Sequence, residues 1–243
     1  MRNDRRRPAQ PRPGAAAQKA QKRAAPRKAA QKKPALASTP AASTAPEEAR
    51  TLRLGLVPGT TPGRWIDAWK QRMPHVELEL VPISFADQRE RIDDLDLALV
   101  RLPIDRAKDL HVIPLYDEVP VVVAPADSFL MATDGLTVDD LVGQVLITPG
   151  DDVLGPLDLP TLAPSFPTIP TTEDAVQTAA SGAGILVVPM SLARLHHRKD
   201  ADFRPLLGGR TSTVALAWPI EATTSDVEMF VGIVRGRTAN SSR

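Results

Sequence analysis

From Thr51 onward the apolar positions fall into short alternating or continuous runs separated by stretches of helical spacing, whereas residues 1–46 show no period at all. "TLRLGLVPG" alternates as a strand, and "TTPGRWIDAWKQRMP" follows as a helix with Thr61 expected at its N-cap and Pro62 at its first position. "HVELELVPI" alternates again, Val76, Leu78 and Leu80 against His75, Glu77 and Glu79, and "SFADQRERI" begins a short helix with Ser84 as its expected cap. The next strand, "LDLALV", is apolar on both faces from Leu97 to Val100, so it belongs in a sheet covered on both sides. This β-α-β-α-β order predicts an open parallel sheet with right-handed helical crossovers.

A second unit follows. "HVIPLY" and "VPVVVAP" are strands, and "LTVDDLVGQVLITPG" reads as a helix capped by Thr137 feeding a strand over Val145–Thr148. "TTEDAVQTAASGAGILVVP" reads as a helix capped by Thr172, ended by Gly182 and Gly184, and followed by the strand "ILVVP". "TVALAWPI" and "SDVEMFVGIVRGR" return the chain to the first unit. The pattern predicts two lobes, about 51–120 with 210–236 and about 121–209, joined by two crossings with a cleft between them. Ligands of open α/β sheets bind in such crevices, at the carboxyl ends of strands.

Charge separates the first 50 residues from the remaining 51–243. Residues 1–46 carry 12 Lys/Arg, the single acid Asp4 and seven prolines, which leaves 18 Lys/Arg against 28 Asp/Glu in residues 47–243. A segment so charged and so poor in large apolar side chains does not offset its backbone entropy, so a disordered basic tail is expected over 1–50. Arg5, Arg6 and Arg7, then Lys19, Lys22, Arg23, Arg27, Lys28, Lys32 and Lys33, are spaced to neutralise phosphates. They are the candidate contacts for sequence-independent, salt-sensitive nucleic-acid binding. A solubilising tail, a start codon placed too early and docking on the acidic body are the competing readings.

The lack of cysteine excludes disulfides, thiolate metal sites and cysteine nucleophiles. The four histidines, at 75, 111, 196 and 197, are not at metal spacing, and neither a G-x-S-x-G elbow nor a P-loop is present. "SGAG" precedes its strand and lacks the third glycine of a dinucleotide fingerprint, so it is expected to break a helix and pack closely. No apolar run reaches the ~20 residues of a membrane helix, and a cytoplasmic, non-enzymatic protein without cofactor or metal is expected.

Four phrases, "LRLGLVPGTTP", "VELELVPISFADQRERIDDLDLALVRLP", "LYDEVPVVVAPADSFL" and "AVQTAASGAGILVVPMSLA", resemble the effector-binding domain of LysR-type transcriptional regulators over about residues 51–236. The resemblance implies a two-lobed α/β fold of the type 2 periplasmic-binding-protein kind, here preceded by a basic tail. It further implies effector binding linked to transcription regulation. Where the family begins with a winged helix-turn-helix, residues 1–46 offer only Met1 and Leu36 beyond alanine for such a core.

Arg101, at the carboxyl end of the third strand, is expected to enter the cleft and clamp the carboxylate of a small organic anion, with Pro103 stiffening the chain behind it. Family members that sense organic acids are similar in carrying Arg there; the competing expectation is an ion pair with Asp105 or Asp117. Thr60, Thr61 and Ser84, at helix starts, are candidate ligand contacts from the first lobe. Thr148 and Thr171 are those from the second, Thr148 because the matching family position faces the ligand. Trp65 and Trp69, one turn apart, are expected in the core; the family resemblance adds a homodimer contact through that helix. Two further readings compete with the sensor: a structural protein whose tail alone is active, and a small dehydratase of the same fold using Asp87 or Asp96.

Overall fold

The computed structural model of the protein describes residues 50–236, so the tail residues named above as nucleic-acid contacts lie outside the described residues. The first lobe holds a five-stranded sheet of order β2-β1-β3-β9-β4. Its strands are β1 (Arg50–Leu56), β2 (Val76–Pro82), β3 (Leu97–Arg101), β4 (Leu110–Glu118) and β9 (Ser212–Pro219). Its helices are α1 (Gly63–Arg72), α2 (Gln88–Ile92) and α5 (Ser225–Val234).

Period-2 geometry divides this core in two. Leu97 and Leu99 of β3 face one side, where Trp69 of α1 and Phe230 of α5 meet at 5.7 Å between ring centroids. Ala98 and Val100 face the other, against Ile83, Ile92, Ala215 and Ala217. Trp69 is fully buried, and its indole N–H donates to Val76 O at 3.0 Å. Trp65 packs half-buried on the same cluster. The expected parallel order covers β1, β2 and β3 only: β9 pairs antiparallel with β3 and β4, because it enters the sheet on its return from the second lobe.

The second lobe holds a four-stranded sheet of order β6-β7-β5-β8. It comprises β5 (Pro120–Pro125), β6 (Leu146–Ile147), β7 (Ile185–Pro189) and β8 (Ala201–Pro205), with α3 (Thr172–Ala180) and α4 (Met190–Leu195). Val119 forms the first crossing between lobes, and residues 206–211 form the second. Among the described residues no helix is long and apolar enough to cross a membrane.

Three helix starts differ from expectation. Helix α1 opens at Gly63 with Pro62 as N-cap; its ring has no acceptor for a side-chain cap, and Pro62 O accepts from Trp65 N and Ile66 N. Thr171 rather than Thr172 caps α3, its hydroxyl oxygen accepting from Asp174 N. Thr137 forms a reciprocal capping box with Asp140, but on one 3-10 turn, Val138–Leu141, not an α-helix. Strand β6 stops at Ile147, so Thr148 lies beyond it.

In "SGAG", Gly182 has φ of +83° just past the C-cap Ser181, and a Cβ at Gly184 would stand 2.5 Å from Val145 O. Gly184 therefore lets β7 approach β6 closely. Gly184→Ala is expected to destabilise the protein by ~1–3 kcal/mol, measured as a lower urea midpoint at unchanged m-value.

Candidate functional site

Arg101 continues the Leu97, Leu99 face of β3, yet ends in a guanidinium with no solvent exposure. Its Nη1 donates to Glu118 Oε2 at 2.6 Å and to Ser212 Oγ at 2.9 Å. Its Nη2 donates to Pro58 O at 3.2 Å and to Ser191 Oγ at 3.1 Å. Ser191 in turn donates to Glu118 Oε2 at 2.9 Å. The backbone of Arg101 is held as well, by reciprocal bonds of 2.9 Å to the Gln88 side chain amide.

Each partner lies at a junction. Glu118 ends β4 at the first crossing, Ser212 begins β9 at the second, Pro58 follows β1, and Ser191 sits on α4 of the second lobe. Gly59 makes the approach possible: its φ is +84°, and a Cβ there would stand 2.5 Å from Ser191 Oγ and 3.1 Å from Arg101 Nη2. The guanidinium is thus committed to Glu118, with both charges taken out of water, and neither Asp105 nor Asp117 is its partner.

Two cavities border this junction and a third lies within the second lobe. One of about 320 Å³ is interlobe, with Pro58, Ser84 and Phe85 from the first lobe facing Asp151, Thr171, Thr172, Glu173, Leu192 and His196 from the second. A hinge-side cavity of about 490 Å³ is lined by Thr60, Thr61, Tyr116, Glu118, Ser191 and Arg194 among others. Burial, and then the charge of Glu118, push the Tyr116 phenol above its ordinary value. The third, about 380 Å³, lies within the second lobe between Leu146, Thr148, Asp152, Leu157 and Val187. Burial raises the Asp152 carboxyl against the N–H groups of Leu154 and Gly155, which favour its charge.

The candidate residues therefore separate. Ser84 and Thr171 meet in the interlobe cavity, Thr60 and Thr61 line the hinge-side one, and Thr148 opens onto the third. Arg101 lines none of the three, and Pro103 is exposed on the turn after β3. Ser84 precedes α2 as part of a side-chain turn rather than as its cap, accepting from Asp87 N at 3.0 Å and donating to Asp87 Oδ2 at 2.7 Å. Asp96 stands at the amino end of β3, where its Oδ2 accepts from Arg53 N, away from the strand ends that open on the cleft.

Glu118, Ser191, Phe85 and Asp151 did not emerge from pattern reading. Ser191 had a signal, since it follows the strand "ILVVP" as Thr60 follows β1; Asp151 and Phe85 are polar and apolar loop positions that only folding brings together.

Breaking the buried pair from one side leaves an uncompensated charge. Arg101→Ala or Glu118→Ala is expected to cost ~3–5 kcal/mol of stability by denaturant unfolding, while replacing both with apolar residues of similar size costs less than the sum.

The fold has solved counterparts. The reduced OxyR regulatory domain from Pseudomonas aeruginosa is 24% identical, covers 78% of this chain and 96% of its own, and superposes with a TM-score of 0.60. The BenM effector binding domain with its effector benzoate is 20% identical, covers 78% and 95%, and has a TM-score of 0.62. Full-length BenM is 20% identical over 77% of this chain and 67% of its own, at 0.62. No curated protein matches. A family model, the LysR substrate binding domain, matches residues 45–239, and the chain belongs to that family.

Proposed function

We propose that the protein is a non-enzymatic effector-binding module of LysR type, linked to transcription regulation, that senses a small organic molecule between its lobes. The observation that carries this reading is the convergence of Ser84 and Phe85 with Asp151, Thr171 and Thr172, from opposite lobes, on one cavity of about 320 Å³. A ligand there touches both lobes at once, so its binding energy depends on their relative pose. The volume lies in the ordinary range of small-molecule sites.

Acid-base catalysis has little support here. Asp151 accepts from Thr172 Oγ1 at 2.7 Å, Asp87 is held by Ser84, and Asp96 is remote from the cavity. The organic-anion form of the reading relied on Arg101 as a free clamp. That guanidinium is paired with Glu118, so an anion would rest on the N–H groups at helix starts instead.

The module is tested by thermal unfolding of the full chain against a mixed panel of carboxylates, amines and polyols. A true effector at 100 times its Kd adds roughly 2.7 kcal/mol, and Ser84→Trp, which fills the cavity, is expected to abolish the shift. A panel without any response sinks the reading.

The 12 Lys/Arg in residues 1–46 favour a second activity, sequence-independent association with nucleic acid. Deleting 1–46 is expected to abolish retention on DNA at low salt, and raising the salt is expected to mimic the deletion. Retention indifferent to both returns the tail to a solubilising role.

A further inference from the structure

We propose that the interlobe cavity takes a small organic cation, an ammonium or guanidinium compound, rather than a carboxylate. The proposal rests on the effector-binding reading above and names the ligand class for the same cavity.

The argument starts from where three hydroxyl protons go. Ser84 Oγ donates to Asp87 Oδ2 at 2.7 Å, Thr171 Oγ1 to Asp174 Oδ2 at 2.8 Å, and Thr172 Oγ1 to Asp151 Oδ1 at 2.7 Å. A hydroxyl has one proton, so once it is committed to a carboxylate the oxygen offers a newcomer only lone pairs. These hydroxyls are therefore acceptors toward a ligand.

The charges agree. Asp151 and Glu173 line the cavity, and neither is in an ion pair among the described residues. Arg101 lies behind the cavity and is neutralised by Glu118, while Arg194 lines the hinge-side cavity. Of the cavity's side chains only His196 can donate a proton to a ligand without breaking one of these bonds. A carboxylate placed here would find backbone donors in the Thr172 and Glu173 N–H groups at the start of α3, an end worth roughly half a positive charge, but would face two full like charges in Asp151 and Glu173. An ammonium group, with three donors and no acceptor, matches those carboxylates and the hydroxyl oxygens.

The remaining wall is apolar. Half-buried Phe85 stands with Val153, Leu192 and Leu195, a surface for the methylenes or ring of the ligand, and the face of Phe85 attracts a cation. The volume limits the ligand to a compact amine rather than a long polyamine or a peptide.

The test is calorimetric titration and thermal unfolding of the full chain at constant ionic strength. Butylammonium, benzylammonium and agmatine are set against butyrate and benzoate, in the native protein and in Asp151→Asn combined with Glu173→Gln. The expected result is saturable binding of at least one cation and of neither acid, weakened tenfold or more in the double variant, whose ligand-free unfolding temperature stays close to that of the native protein because both side chains are exposed and an amide oxygen at position 151 still accepts from Thr172 Oγ1. Cation binding undiminished in the variant overturns the site. Binding of an acid with the cations inert overturns the ligand class and leaves the effector-binding reading standing, and a folded protein inert to both classes overturns the cation assignment, the effector-binding reading then standing or falling on the wider panel.

Discussion

The relation between the two lobes turns on the buried pair of Arg101 and Glu118. Two charges held 2.6 Å apart with almost no contact with water attract strongly, but each has lost its hydration, so the arrangement is tolerable only because further hydrogen bonds replace that water. Ser212, Pro58 and Ser191 supply them, and these three residues come from the second crossing, the loop after β1 and the second lobe. One guanidinium thereby joins both crossings and both lobes. Its Nε remains the one buried side-chain donor without a partner among the described residues, a cost the rest of the cluster offsets.

This junction decides what the neighbouring cavities can be. Because the strongest cation near the cleft is internally neutralised, the polarity of the interlobe cavity is set by the loops around it. Those loops are rich in pairs such as Ser84 with Asp87 and Thr171 with Asp174, in which a carboxylate three residues on captures the hydroxyl proton and a backbone N–H donates to the hydroxyl oxygen. The same local bonds that order the chain before α2 and α3 thus orient the cavity's oxygens as acceptors. Loop structure and ligand chemistry are here consequences of one set of hydrogen bonds.

The elements most legible in the sequence were those with long, clean periods. Strands β1, β2 and β3 and helix α1 follow from alternation and helical spacing, since each buries a defined face. Boundaries were less legible: Thr171 and Thr172 are chemically equivalent caps, and which of them takes the role depends on how α3 seats against the sheet. Strand β8, with the sequence "ADFRP", carries too little pattern to stand out, and α4 is barely more than one turn; both exist because β5 and β7 offer them a partner.

The sequence by itself determined the two-lobed α/β fold, the acidic body behind a basic tail, and the placing of Arg101 at the carboxyl end of β3, because these depend on period, composition and strand ends that are local in the chain. Only the tertiary structure decided which acid Arg101 meets, that Thr60, Ser84 and Thr148 open onto three different cavities, and that Phe85 and Asp151 face each other across one of them. Pairing over such separations is set by how two sheets and their crossings settle in space, where a few ångströms decide whether a charge faces a ligand or another side chain, and no local pattern records that distance.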